Sequence, residues 1–163
     1  MNVLKLVIQL DIPNSTEALL DSAALGDGVQ EALAERLIEE GKENTKILLS
    51  LQGKFTSSDI FYKGNRSAYL RIINKYLQNE PLMDDQKREI VKDIVVDGLV
   101  SEDRFVQQYA IRSSKYFPGD MQILEELQRI ATTDTHSRLK DGVKTFPLRE
   151  EAQEVLQEIQ RTR

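Results

Sequence analysis

The chain has no cysteine among its 163 residues. That removes disulfides, thiolate zinc sites and cysteine nucleophiles together, and it fits a reducing compartment. There is one histidine, His136. Asp134 and Asp141 are near it, but with no second imidazole and no thiolate the spacing fits no metal-ligand pattern. No apolar run reaches the roughly 18 residues a membrane helix needs. Residues 1–10 hold Lys5 inside a short apolar run and lack a small-residue cleavage site, so they read as structure and not as a signal peptide. The expectation is a cytoplasmic protein without a membrane partner. No glycine-rich phosphate loop is present either. Gly26-Asp27-Gly28 lacks the preceding strand, the third glycine and the lysine of the nucleotide fingerprints, and reads as a turn. No cofactor is expected, and nothing in the residue pattern raises an enzyme.

What is there is charge and helical periodicity. The net charge of −5 is uneven: residues 1–53 carry 4 basic and 9 acidic side chains, residues 54–100 carry 8 and 7, and residues 101–163 carry 10 and 11. The acidity belongs to the first third, which argues against a broad nucleic-acid face. Residues 3–12 read as a short strand, with Leu4, Leu6, Ile8 and Leu10 alternating with Lys5, Val7, Gln9 and Asp11, ended by Pro13. A lone strand needs a partner. One is residues 54–63, strand-like through Phe55, Ile60, Phe61 and Tyr62; another is a second copy of the chain, giving a homo-oligomer. Alternatively, residues 3–12 lie over the helical core.

The remainder reads as helices. Asn14 or Ser15 caps one that ends before Gly26. A second covers 29–40 and is closed by Gly41; a third covers 44–52 and is closed by Gly53. A helix over 66–79 carries the stripe Leu70, Ile73 and Leu77, with Tyr69, Ile72 and Tyr76 beside it. The next, over 86–96, follows Asp84-Asp85, places Ile90, Val91, Ile94 and Val95 inward and ends at Gly98. Ser101 is the capping candidate for a helix whose buried face is Phe105, Val106, Tyr109, Ala110, Ser113, Tyr116 and Phe117. Asp120 caps a helix over 121–131, with Ile123, Leu124, Leu127 and Ile130 inward. Residues 132–147 are then a long loop, and the last helix, over 148–161, carries the stripe Leu148, Ala152, Val155, Leu156 and Ile159. That stripe is too narrow to fold alone and needs a neighbouring helix.

Helices beginning near Arg66, Glu102 and Leu148 alternate with helices beginning near Gln86 and Met121. The starts are separated by about 36 and 46 residues, around the ~40–47-residue period of HEAT and armadillo repeats. In its order of Leu148, Arg149, Ala152, Val155 and Leu156, the last helix resembles the short bacterial HEAT repeats related to phycobilisome lyase subunits. Val106 and Ala110 follow the same order more loosely, with Gln107 where the family often has arginine and Ser114 where it often has leucine. Ile123, Leu124, Leu127 and Asp134 look like the second helix and following turn. The resemblance covers residues 65–162. It implies a mostly all-α fold of stacked antiparallel helix pairs, a HEAT-like superhelix over 54–163; residues 1–53, read above as a strand and helices, lie outside it. It also implies the kind of function such proteins have, a non-catalytic adaptor or regulatory subunit that binds a protein partner on the repeat surface. The lyase-type likeness adds a narrower alternative, an accessory protein for a cofactor-bearing protein.

Two sets of residues are candidates for binding. The 132–147 loop is longer than a helical repeat requires. It holds His136, Arg138, Lys140, Lys144 and Phe146, cations and an aromatic ring suited to an acidic protein surface. The alternative is a nucleic-acid face over residues 63–75, with Lys63, Arg66, Arg71 and Lys75 interleaved with Tyr69. Against these stand plainer readings: a solvated insertion with Phe146 tucked against the last helix, and tyrosines half-buried with wet hydroxyls. The acidic pairs Asp84-Asp85, Glu102-Asp103 and Glu150-Glu151 sit where helix dipoles account for them without catalysis.

Overall fold

The computed structural model describes residues 15–21, 26–39, 44–79 and 84–162. The strand read over residues 3–12, and any oligomer built through it, lie outside the described residues. Among those described, the order is α1 (Ser15–Asp21), α2 (Asp27–Glu39), α3 (Asn44–Thr56), α4 (Ile60–Asn79), α5 (Asp85–Leu99), α6 (Arg104–Ser114), α7 (Met121–Thr133), β1 (Arg138–Lys140), β2 (Val143–Thr145) and α8 (Pro147–Arg161). The protein is mostly all-α, with one short antiparallel hairpin among the described residues. None of the described helices is long and apolar enough to cross a membrane. The chain forms two compact units, residues 1–94 and 95–163, with the division inside α5.

In the first unit α4 is the centre, packing on α2 and α3. Its 20 residues bury Ala68, Tyr69, Leu70, Ile72, Ile73, Tyr76 and Leu77, so both stripes read from the sequence go inward. The residues read as a second strand are helical instead. α3 continues through Gly53 to Thr56, and α4 starts at Ile60. The break between them is Ser57-Ser58-Asp59. There the Ser57 hydroxyl accepts from the Asp59 amide, and the Asp59 carboxylate accepts from the Phe61 amide at 2.8 Å, satisfying orphan donors of the first turn. β-propensity at Phe61 and Tyr62 yields to this cap and to the burial of Phe55 in the core.

α5 is also longer than its sequence pattern indicates, running past Gly98 to Leu99. It starts as read. The Asp84 carboxylate accepts from the Lys87 amide at 2.9 Å, and that bond holds its pKa below the usual carboxylate value.

The second unit is built around α8. Leu148, Ala152, Val155 and Ile159 are buried against α6 and α7, while Leu156 is half-exposed. α6 is capped by Asp103, not Ser101; the Asp103 carboxylate accepts from the amides of Phe105 and Val106. Ser101 supports the cap by accepting from the Asp103 amide at 3.2 Å. Asp120 caps α7, accepting from the Ile123 amide at 3.0 Å. Gln107 is buried and donates to the Leu99 carbonyl at 2.9 Å, so the C-terminal end of α5 is closed by a side chain from α6.

Ala152 is fully buried on the face that joins α8 to its neighbours. Ala152→Asp places an unpaired carboxylate there. It is expected to destabilise this unit by at least about 3 kcal/mol and to lower its melting midpoint by more than ~10 °C, read by circular dichroism. An unchanged melting curve would refute this packing of α8.

A second expectation concerns acid. The guanidinium of Arg71 beside Asp27 holds that carboxyl below its ordinary value of 3.8. A depressed folded-state value means the contribution is fully present above the unfolded value and fades as pH falls through the folded one. Asp27→Asn should therefore make stability less pH-dependent at the acid end of the titration, most visibly at low salt because the pair is exposed.

Candidate functional site

Of the two candidate regions, the one on α4 is largely committed to internal contacts. Tyr69 is fully buried and its hydroxyl donates to the Leu20 carbonyl at 3.2 Å, which corrects the reading of a half-wet ring. Burial pushes its pKa upward. Arg66 donates to the carbonyls of Phe55 at 2.7 Å and Ser57 at 3.2 Å, closing the end of α3, and its guanidinium lies over the Phe55 ring. Arg71 pairs with Asp27, and Lys75 with Glu31 at 3.2 Å. Lys63 is exposed. The cations that were to meet phosphates thus tie α4 to α2 and to the end of α3, and the ring that was to stack on a base is out of reach.

The 132–147 segment is not an irregular loop. It is a two-stranded hairpin in the register Arg138↔Thr145, Leu139↔Lys144 and Lys140↔Val143. Two residues connect the strands, Asp141 at φ 53° and Gly142 at φ 80°. Positive φ at both central positions is the type I′ turn whose twist matches a hairpin, and Asp-Gly is among its preferred pairs. The strands are exposed almost throughout, with Leu139 77% and Val143 64% exposed. In this register Leu139 and Val143 project from opposite faces.

Both ends of the segment are pinned. Arg149 on α8 donates to the Asp134 carbonyl, and Gln153 donates to the Ala131 carbonyl at 3.5 Å. The Asp134 side chain, 6% exposed, accepts from the His136 amide at 3.0 Å and lies 2.8 Å from His136 Nδ1. That arrangement leaves Nε2 as the free nitrogen of an imidazole that is 46% exposed. Phe146 is half-buried at the start of α8, with the Arg149 guanidinium 4.4 Å and the Lys144 ammonium 5.4 Å from its ring centroid.

Beside β1 lies a cleft of about 290 Å³, lined by Arg104, Phe105, Gln108, His136, Ser137, Arg138, Pro147 and Leu148. It brings together His136 and Arg138 from the sequence-based set. Lys140, Lys144 and Phe146 are on the hairpin and its base but do not line it. Arg104 and Phe105 line it without belonging to that set, and Phe105 does not lie on the buried face of its helix that the sequence pattern indicates. At ~100° per residue, a wheel centred on Val106, Ala110 and Ser113 puts Phe105 outside that face, and it is 53% exposed. Its ring carries the Arg104 guanidinium at 4.8 Å. Gln108 and Arg112 both bond the Glu151 carboxylate, fixing the wall of α6 to α8. Chemically the cleft offers guanidinium donors, one imidazole nitrogen and an apolar floor. Among the described residues no three His, Asp or Glu side chains converge as a metal site. No protein-family model, curated protein or solved structure matches the chain.

The turn can be tested separately from the core. Gly142→Ala puts a side chain at φ 80°, costing about 1 kcal/mol. Amide exchange within the hairpin should then rise roughly fivefold, while the melting midpoint of the helices hardly moves. A comparable loss of helix stability would mean that the hairpin is part of the core.

Proposed function

We propose that the chain is a cytoplasmic protein-interaction module of HEAT-like helical repeats, and that its partner docks on the β1–β2 hairpin and the cleft beside it. The observation that carries this reading is a hairpin with Leu139 and Val143 in solvent, next to a concave surface of Arg104, Phe105, His136 and Arg138. An exposed short hairpin gains little from its own packing. Here its base is tied down at Asp134 and Phe146, which fixes where it projects. Concave surfaces with an aromatic anchor and arginines are the usual material of protein docking sites. The repeat reading is supported by α6 and α7 followed by α8, which packs on both of them as the first helix of a succeeding repeat does.

Site-directed photo-crosslinking tests the proposal. A benzoylphenylalanine at Leu139 should give a discrete, nuclease-insensitive protein adduct in cells, and one at the exposed Gln128 of α7 should not. Adducts from Lys63 on α4 with none from Leu139 or Val143 would place the partner elsewhere and overturn the assignment.

A further inference from the structure

We infer that the occupant of the cleft is an acidic, extended segment of a partner protein, with a side-chain carboxylate held between Arg104 and Arg138 and an apolar side chain laid on Phe105 and Pro147. The inference rests on the docking assignment above and adds the ligand chemistry.

Charge is the first argument. Arg112 of α6 pairs with Glu151, Lys115 just past that helix with Glu158 at 3.5 Å, and Arg129 of α7 with Glu126 at 2.7 Å. Arg104, Arg138, Lys140 and Lys144 have no carboxylate within ion-pairing distance among the described residues. Arg104 and Arg138, which line the cleft, are therefore available to an outside carboxylate. The complementary partner is acidic.

Size and shape are the second. About 290 Å³ lies at the bottom of the roughly 300–1,000 Å³ range of small-molecule pockets. That is room for a side chain or two, not for a large cofactor. The Arg104 guanidinium rests on the Phe105 ring, which holds its plane and leaves N–H donors for a bidentate carboxylate. His136, oriented through Nδ1 by the nearly buried Asp134, adds a polar contact at Nε2.

Backbone valence is the third. β1 pairs with β2 on one edge only, and Ser137 and Arg138 of that segment line the cleft. The open edge offers amides and carbonyls to an added strand, the mode by which extended peptides join sheets. A nucleic-acid strand fits less well. Phe105 is the one phenyl ring lining the cleft, whereas strand binding stacks successive bases on successive rings.

The test is fluorescence anisotropy on the full chain. The probe is a labelled peptide of alternating Glu and Leu, about eight residues long to match an ordinary strand. Comparison probes are the same peptide with Gln for Glu and a labelled oligothymidine. The Glu peptide should bind in a salt-sensitive manner, with amide shifts confined to residues 104–108 and 136–140. The Gln peptide should bind at least about tenfold more weakly. The double substitution Arg104→Glu with Arg138→Glu, at exposed positions, should cause a similar loss with an unchanged circular dichroism spectrum. Equal binding of the Glu and Gln peptides, undiminished binding by the double variant, or tighter binding of oligothymidine would each overturn the acidic-peptide assignment. The Leu139 crosslink would still decide the docking reading independently, so the two can fail separately.

Discussion

The second unit depends on how the end of α7 is tied to the start of α8. α8 is held by a narrow stripe, Leu148, Ala152, Val155 and Ile159, in which Ala152 allows close approach of its neighbours. Such a stripe secures a helix laterally but leaves its rotation and its entry angle weakly determined. Arg149 and Gln153 remove that freedom by bonding carbonyls at the end of α7, groups that a helix terminus otherwise leaves for water. Once α8 is set, residues 134–146 must leave and return across a short span, and a hairpin does this with its own backbone bonds satisfied. The cleft is what remains between that hairpin and the first turn of α6.

The same economy appears around Asp134. Its carbonyl receives Arg149, its carboxylate receives the amide and imidazole of His136, and its own amide donates to the Ile130 carbonyl at 3.2 Å. One residue therefore ends α7, locates α8 and orients a ring at the mouth of the cleft. A carboxylate this buried is tolerable only with its acceptor capacity filled, and here structural satisfaction and placement of the candidate site are the same set of bonds.

Helices with capping residues and sustained apolar periodicity were legible from sequence. Asp120 emerges as read, and so do the α7 and α8 stripes apart from the half-exposed Leu124 and Leu156, because those helices meet the solvent on one face and the core on the other. The errors have physical causes. Gly53 and Gly98 look like helix ends, but a glycine within a helix costs only about 1 kcal/mol, which packing on either side can override. Phe55, Phe61 and Tyr62 suggest a strand by propensity, yet Ser57 and Asp59 provide a better local solution by breaking one helix and capping the next. Residues 132–147 read as a loop by their length, yet Asp141-Gly142 between short runs containing Leu139 and Val143 is a strong short-range turn signal. Of the site, His136 and Arg138 were visible as loop cations, whereas Arg104 and Phe105 enter it only through the fold, since nothing in sequence brings α6 to face β1.

The contrast between the two cationic regions shows why composition alone misleads about binding. Residues 63–75 have the higher density of arginine, lysine and tyrosine, but Arg66 closes a helix end and Arg71 and Lys75 neutralise acids on α2. Their charges are used in holding α4, and recruiting them to a ligand would first require breaking those contacts. The hairpin has fewer cations, Arg138, Lys140 and Lys144 beside Asp141, yet Arg104 and Arg138 have no carboxylate within ion-pairing distance among the described residues. Free valence, rather than the number of cations, marks a surface that gains from a partner: a ligand at the cleft adds interactions without removing any, and one at α4 would mostly exchange them.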